Sequence, residues 1–273
     1  MEKTYLTTKR SLIGTPIPEQ TKTYKPVSHE QLIDLTLNSI ATAGFKLDRE
    51  QYSSAREGNV ANGRFTIQNV ADTEMQLQIG WQNSYDKTLS LKFAIGTRIF
   101  ICQNGCVSGD FGAFKKVHRG DVQTFTPAAI TEYIKKSGDA FKRMQDEREI
   151  MKTITISETA RAELIGRMFI EEQFLQSTQL NIIKRELKSP TFDYNCPNSL
   201  WELYNYTTFS LKEIHPHDWM NSHVAAHKFF ADEAGIVHPK EIEVIVTDIS
   251  PNQLEMFDEE HNASVMHGVD NVQ

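Results

Sequence analysis

MQLQIGWQNSYDKTLSLKFAI, residues 75–95, decides the fold. Met75, Leu77, Ile79 and Trp81 alternate with Gln76, Gln78 and Gly80, and Leu89, Leu91, Phe93 and Ile95 repeat the pattern. A period of two sends every second side chain to one face of an extended strand. The six residues 82–87 between the runs are short enough to join them as an antiparallel hairpin. One face of the resulting sheet is apolar and has to be covered, most economically by helices.

On the N-terminal side, residues 64–70 read as a further short strand. On the C-terminal side, residues 98–122, RIFICQNGCVSGDFGAFKKVHRGDV, continue the sheet. Residues 98–102 extend or follow the second strand, and Asn104-Gly105 tolerates the positive φ of a tight turn. Residues 111–117 then pair after the Gly-rich turn, and Gly109, Gly112 and Gly120 mark places where this segment must bend or approach something closely.

The flanking segments read as helices. Ser28 and Gln31 form a capping box, Val27 and Leu32 can staple it, and Gly44 stands where a helix-ending glycine belongs. Leu32, Ile33, Leu37 and Ile40 line one side. Thr126-Pro127 opens a long helix carrying Ile130, Ile134, Phe141 and Met144 toward Met151, with residues 142–149, KRMQDERE, as its solvated face. Ser157 starts another, residues 177–187 a third, and Asn198 is expected to cap a helix over 200–214. A last helix spans 218–234 before Gly235, and 241–246 alternates as a short strand. The expected fold class is α+β: an antiparallel sheet meander with a long covering helix in the N-terminal half and a mainly helical C-terminal half. The expected organisation is an extended arm over 1–27, a sheet-bearing domain over 28–152, a mainly helical region over 153–249 and a flexible acidic tail over 250–273.

The chain has 273 residues, 39% hydrophobic and 24% charged, enough for a substantial core. No run approaches the roughly 18 apolar residues of a membrane helix, and MEKTYLTTKR lacks an apolar signal core, so the expected location is the cytoplasm of the producing cell. A net charge of −7 excludes a uniformly basic nucleic-acid binder but leaves room for a local basic patch. Cys102 and Cys106 would have to face one another to form a disulfide or half of a metal site; with Cys196 they read more simply as buried free thiols.

His223 and His227 lie four apart on an expected helix, with His215 and His217 just upstream. The glutamate of an HExxH zinc motif is absent, since position 224 is Val, so no metal site is assigned. No nucleophile elbow or phosphate-binding loop occurs. Acid pairs such as Asp146/Glu147 and Glu171/Glu172 read as helix surface, and neither enzyme chemistry nor a cofactor is expected.

Lys115, Lys116, His118 and Arg119, with Arg98 on the preceding strand, are the candidate phosphate contacts. Phe111 and Phe114 are placed to stack on unpaired bases. The plainer alternative is an edge strand whose lysines block sheet-to-sheet pairing. Gln253, Leu254, Glu255, Met256 and Phe257 spell QLEMF, similar to the pentapeptide by which bacterial replication proteins dock on the sliding clamp. In that reading Gln253 anchors by hydrogen bonds while Leu254, Met256 and Phe257 supply apolar contacts. The alternative is a tail folding back on its own body.

Cys102, Asn104, Gly105, Gly109, His118, Arg119 and Gly120 stand in an order that resembles the phage and plasmid proteins grouped as domain of unknown function 932. The helix over 131–151 and Leu200-Trp201-x-x-Tyr204 resemble that family's second half, for an overlap of roughly residues 28–234. The resemblance implies a gene carried by phages, prophages or plasmids, and it implies no catalytic residues. The expected function is therefore a non-enzymatic mobile-element protein that binds DNA, single-stranded in particular, during recombination or replication. An annealing role would suit a homo-oligomer. The alternative is an acidic protein that binds and inhibits a host defence or restriction component.

Overall fold

The structure is a computed structural model, and it describes residues 5–21, 24, 26–68, 72–99, 105–108, 114–116 and 127–237. The described chain runs β1 (Leu6–Thr7), α1 (Lys9–Ile13), α2 (His29–Thr42), β2 (Leu47–Ala55), β3 (Val60–Ile67), β4 (Met75–Ser84), β5 (Leu91–Ile99), β6 (Gly105–Ser108) and β7 (Phe114–Lys116). Helices follow: α3 (Pro127–Lys135), α4 (Ser137–Thr153), α5 (Glu158–Ile170), α6 (Ser177–Lys188), α7 (Leu200–Ser210) and α8 (Trp219–Glu233). The α+β class stands: an antiparallel sheet, then helices.

The sheet order is β1-β2-β3-β4-β5-β6, and β7 also pairs with β5. Its centre is the β4–β5 hairpin, in register from Met75 opposite Ile99 to Gln82 opposite Lys92. The strand expected over 64–70 begins earlier, at Val60, and its partner β2 has no counterpart in the hydrophobic pattern. Four of the first positions of β2 are exposed. Backbone pairing to β1 and β3, rather than a buried stripe, makes it a strand.

The helix ends follow local chemistry. Ser28 accepts from the Gln31 amide while the Gln31 side chain accepts from Ser28, and Gly44 has φ 82°. Ser157 caps α5. At α7 the cap is Ser199 rather than Asn198, whose amide instead donates to Glu202. The helix expected over 200–214 ends at Ser210 and finishes in a 3₁₀ turn over Leu211–Glu213. The single helix expected from Pro127 is divided at Lys136 into α3 and α4. The segment 142–149 is not simply solvated, because Met144, Glu147 and Arg148 are buried.

Helix α2 covers the apolar face, where the His29 ring stacks on Tyr85 at 4.1 Å between centroids and parallels Trp81 at 6.1 Å. The opposite face is covered as well: all ten positions of β4 are buried, polar ones included. Trp219, at the start of α8, lies over Gly80, where an added Cβ would come within 3.0 Å of the indole. Gly63 is tighter still against Trp81 on the other face, where an added Cβ would collide with the indole. Two glycines on neighbouring strands thus each admit a tryptophan, one per face. One buried cluster runs from Leu12 and Leu32 through Trp81 and Phe93 to Trp201 and Phe230, joining sheet and helices.

Candidate nucleic-acid interface

The polar face is built by strand parity. Asn62, Arg64 and Thr66 on β3 stand opposite Gln82, Gly80 and Gln78 on β4. Gln76, Gln78, Gly80 and Gln82 stand opposite Arg98, Gly96, Ala94 and Lys92 on β5. Buried amides need partners, and several find them in the segment before α8. Gln82 donates to the carbonyls of Pro216 at 2.7 Å and His217 at 3.0 Å, and Asn62 donates to Pro216 at 3.0 Å. Gln78 donates to Thr66 at 3.2 Å.

Arg98 lies inside this layer, not at its rim. It is 8% exposed and donates to Gln76 Oε1 at 2.9 Å, while Gln76 donates to Asp48 at 3.2 Å. Lys92, three same-face rows away, is partly exposed and donates to Asn221 of α8 at 2.7 Å. The β5–β7 register sets Lys115 directly opposite Lys92, Lys116 opposite Leu91 and Phe114 opposite Phe93. The expected cationic run therefore divides by parity: Lys115 takes a position on the Lys92 and Arg98 side, and Lys116 and Phe114 take positions on the other. Phe111, His118 and Arg119 lie outside the described residues, as do Gln253, Leu254, Met256 and Phe257 of the tail.

The histidines separate. His223 and His227 share α8 and are both buried, but they meet different groups. His227 Nε2 lies 3.2 Å from a carboxylate oxygen of Glu147, and its Nδ1 lies 3.3 Å from the Tyr204 hydroxyl. Glu147, expected on a solvated surface, is 5% exposed and faces α8. His223 lies beside Trp219, 5.6 Å between ring centroids; burial, and then the Arg64 charge, push its pKa down to about 3. His215 accepts from the His217 amide, and His217 pairs with Asp218 at 2.8 Å. Among the described residues no group of three or more His, Cys, Asp or Glu side chains could hold a metal ion. No described helix is long and apolar enough to cross a membrane. Cys196 is a free thiol raised in pKa by burial.

Sequence reasoning missed Lys92, Arg64 and Trp219. Lys92 and Arg64 occupy ordinary polar positions of alternating strands, so nothing local separates them from solvated residues. Gly80, set inside the 75–81 alternation, is the local signal of a close approach.

No curated protein and no solved structure matches the chain. A family model matches residues 19–222, a span that takes in β2 to β7 and ends within the first turn of α8, just past Trp219. The chain belongs to the family described as Domain of unknown function (DUF932).

Proposed function

We propose that this protein binds DNA, single-stranded in particular, as a phage or mobile-element protein acting in recombination or replication in the bacterial cytoplasm. The observation that supports it is the register of β5 and β7, which opposes Lys92 and Lys115 across an antiparallel pair. Like charges at directly opposed positions destabilise a sheet by roughly 0.2–1 kcal/mol. A phosphate between them turns that cost into two ion contacts, and repeated phosphates make a strand of nucleic acid the natural ligand. Lys92, which is partly exposed, takes the phosphate-contact role that the sequence suggested for Arg98. Arg98 serves underneath, holding Gln76 and, through it, Asp48. His118, Arg119, Lys116 and the rings of Phe111 and Phe114 extend the same segment, and copies assembled side by side would continue the cationic track.

Two measurements on the full chain test this. Fluorescence anisotropy with a labelled single-stranded oligonucleotide at low salt is expected to show binding that Lys92→Ala/Lys115→Ala weakens about tenfold. Lys115→Gln alone is expected to raise the stability of the unliganded protein by about 0.5 kcal/mol while weakening binding. Equal affinity of the double variant and the wild type would place the DNA elsewhere. No binding at any salt would end the proposal.

A further inference from the structure

The sheet's polar face opens at its β1–β2–β3 end into a cleft of about 200 Å³, lined among others by Gln51, Ser53, Arg64, Lys212, Glu213 and Trp219. Arg64 is the centre of it. It stands on β3 between Gln51 of β2 and Gly80 of β4, and its guanidinium carbon lies 5.5 Å from the centroid of the Trp219 ring that Gly80 admits. Its Nε is buried and has no hydrogen-bond partner among the described residues, and Nε1 of Trp219 is buried in the same condition. Burial pulls the Arg64 pKa down to about 10, which leaves the side chain charged at neutral pH. Its neighbour His223, held neutral by burial and by the Arg64 charge, adds no second positive charge. Glu213 shares the cleft, with exposed Lys212 beside it, so the lining carries two cations and one carboxylate.

Arg64 as a whole is partly exposed toward the cleft, but its buried Nε–H is an unmet donor on a cation, which is costly unless something accepts from it. A guanidinium is planar and offers parallel N–H donors that match an oxyanion edge to edge. The aromatic wall excludes water from one side, which strengthens such a contact. We propose that this cleft binds a phosphate group, held by the Arg64 guanidinium, with Lys212 at the rim as a second cation. The phosphate can be free in solution or the terminal group of a nucleic-acid strand. The site stands apart from the Lys92–Lys115 pair and does not depend on it.

The full-length protein is titrated with sodium phosphate at constant ionic strength, with sodium chloride as the reference, and followed by calorimetry and tryptophan fluorescence. Saturable binding is expected, weakened about tenfold or more in Arg64→Gln. It is expected to be weakened a few-fold in Lys212→Gln and unchanged in Lys184→Gln, an exposed cation on α6. Binding is also expected to persist in Lys92→Ala/Lys115→Ala, which separates this site from the proposed DNA contact. A second arm compares one oligonucleotide bearing a 5′-phosphate or a 5′-hydroxyl. A preference for the phosphorylated form that Arg64→Gln removes assigns the terminal phosphate; binding of free phosphate without that preference assigns the free ion. If Arg64→Gln does not fold, the Lys212 and Lys184 variants decide, and equal affinities in those two overturn the proposal. So does phosphate binding no tighter than chloride, which would leave the buried donors to water.

Discussion

His29 shows how much one side chain settles. It is fully buried at the first turn of α2, its Nε2 2.9 Å from the Gly58 carbonyl and its Nδ1 3.3 Å from the Asn83 side-chain nitrogen. The carbonyl requires a proton on Nε2 and the Asn83 amide requires a lone pair on Nδ1, so the network assigns the neutral Nε2–H tautomer. A second proton would face the Asn83 donor, and burial already lowers the pKa to about 4. In the unfolded chain the ring regains its ordinary value of 6.5. Between that value and about 4 the unfolded state takes up a proton that the folded state refuses. Stability is therefore intact above the unfolded pKa and falls as pH falls, by on the order of 3 kcal/mol across the window. His223, also held neutral, adds a change of the same sign. Urea unfolding at neutral pH and at about pH 4.5 should show a smaller acid loss for His29→Gln than for the wild type. Equal losses would mean that the His29 ring is not neutral in the fold.

At the scale of elements, the tie between α4 and the start of β4 runs through Asp72. Its carboxylate accepts from the Glu74 amide at 2.7 Å and the Met75 amide at 2.8 Å, from Arg148 at 3.0 Å and 3.1 Å, and from Gln145. Burial alone would raise its pKa, but these hydrogen bonds hold it below the usual carboxylate value. Arg148 is itself largely buried, so removing the carboxylate leaves a cation without its main partner. Asp72→Ala is expected to cost about 3–5 kcal/mol by chemical denaturation. A loss below about 1 kcal/mol would show that Glu74 and Glu149, also beside Arg148, suffice. Ser28→Ala should cost about 1 kcal/mol through the lost cap, read in the same way.

Elements whose causes are local were legible: the Ser28–Gln31 box, Gly44 at positive φ, the Ser157 cap and the alternation of β4 and β5. Those whose causes lie far along the chain were not. Strand β2 carries no buried stripe and exists because β1 and β3 flank it. Glu147 reads as surface in a run of charges, yet His227, brought in on α8, lies against it. The break at Lys136 has no proline or glycine at the position to announce it.

For the whole molecule, the consequential feature is that both faces of the central strands are covered, one by α2 and one from Pro216 into α8. Alternation in residues 75–95 announces the apolar face. It cannot announce that Asn62 and Gln82 on the polar face are covered, because that depends on Pro216 and His217, more than a hundred residues away. Of the candidate site, the sequence marked Lys115 and the strand that carries it. It could not give the register, and the register is what sets Lys115 opposite Lys92 and Lys116 opposite Leu91.

The most direct test of DNA binding at that pair is the salt dependence of affinity for a single-stranded oligonucleotide. Binding constants for the wild type and Lys92→Ala/Lys115→Ala would be measured from about 50 to about 200 mM salt. Each phosphate contact contributes about −0.7 to the slope of log affinity against log salt, so losing two lysines should make the slope shallower by about 1.4. A shallower slope of that size is the predicted result; parallel lines for the two proteins would contradict it.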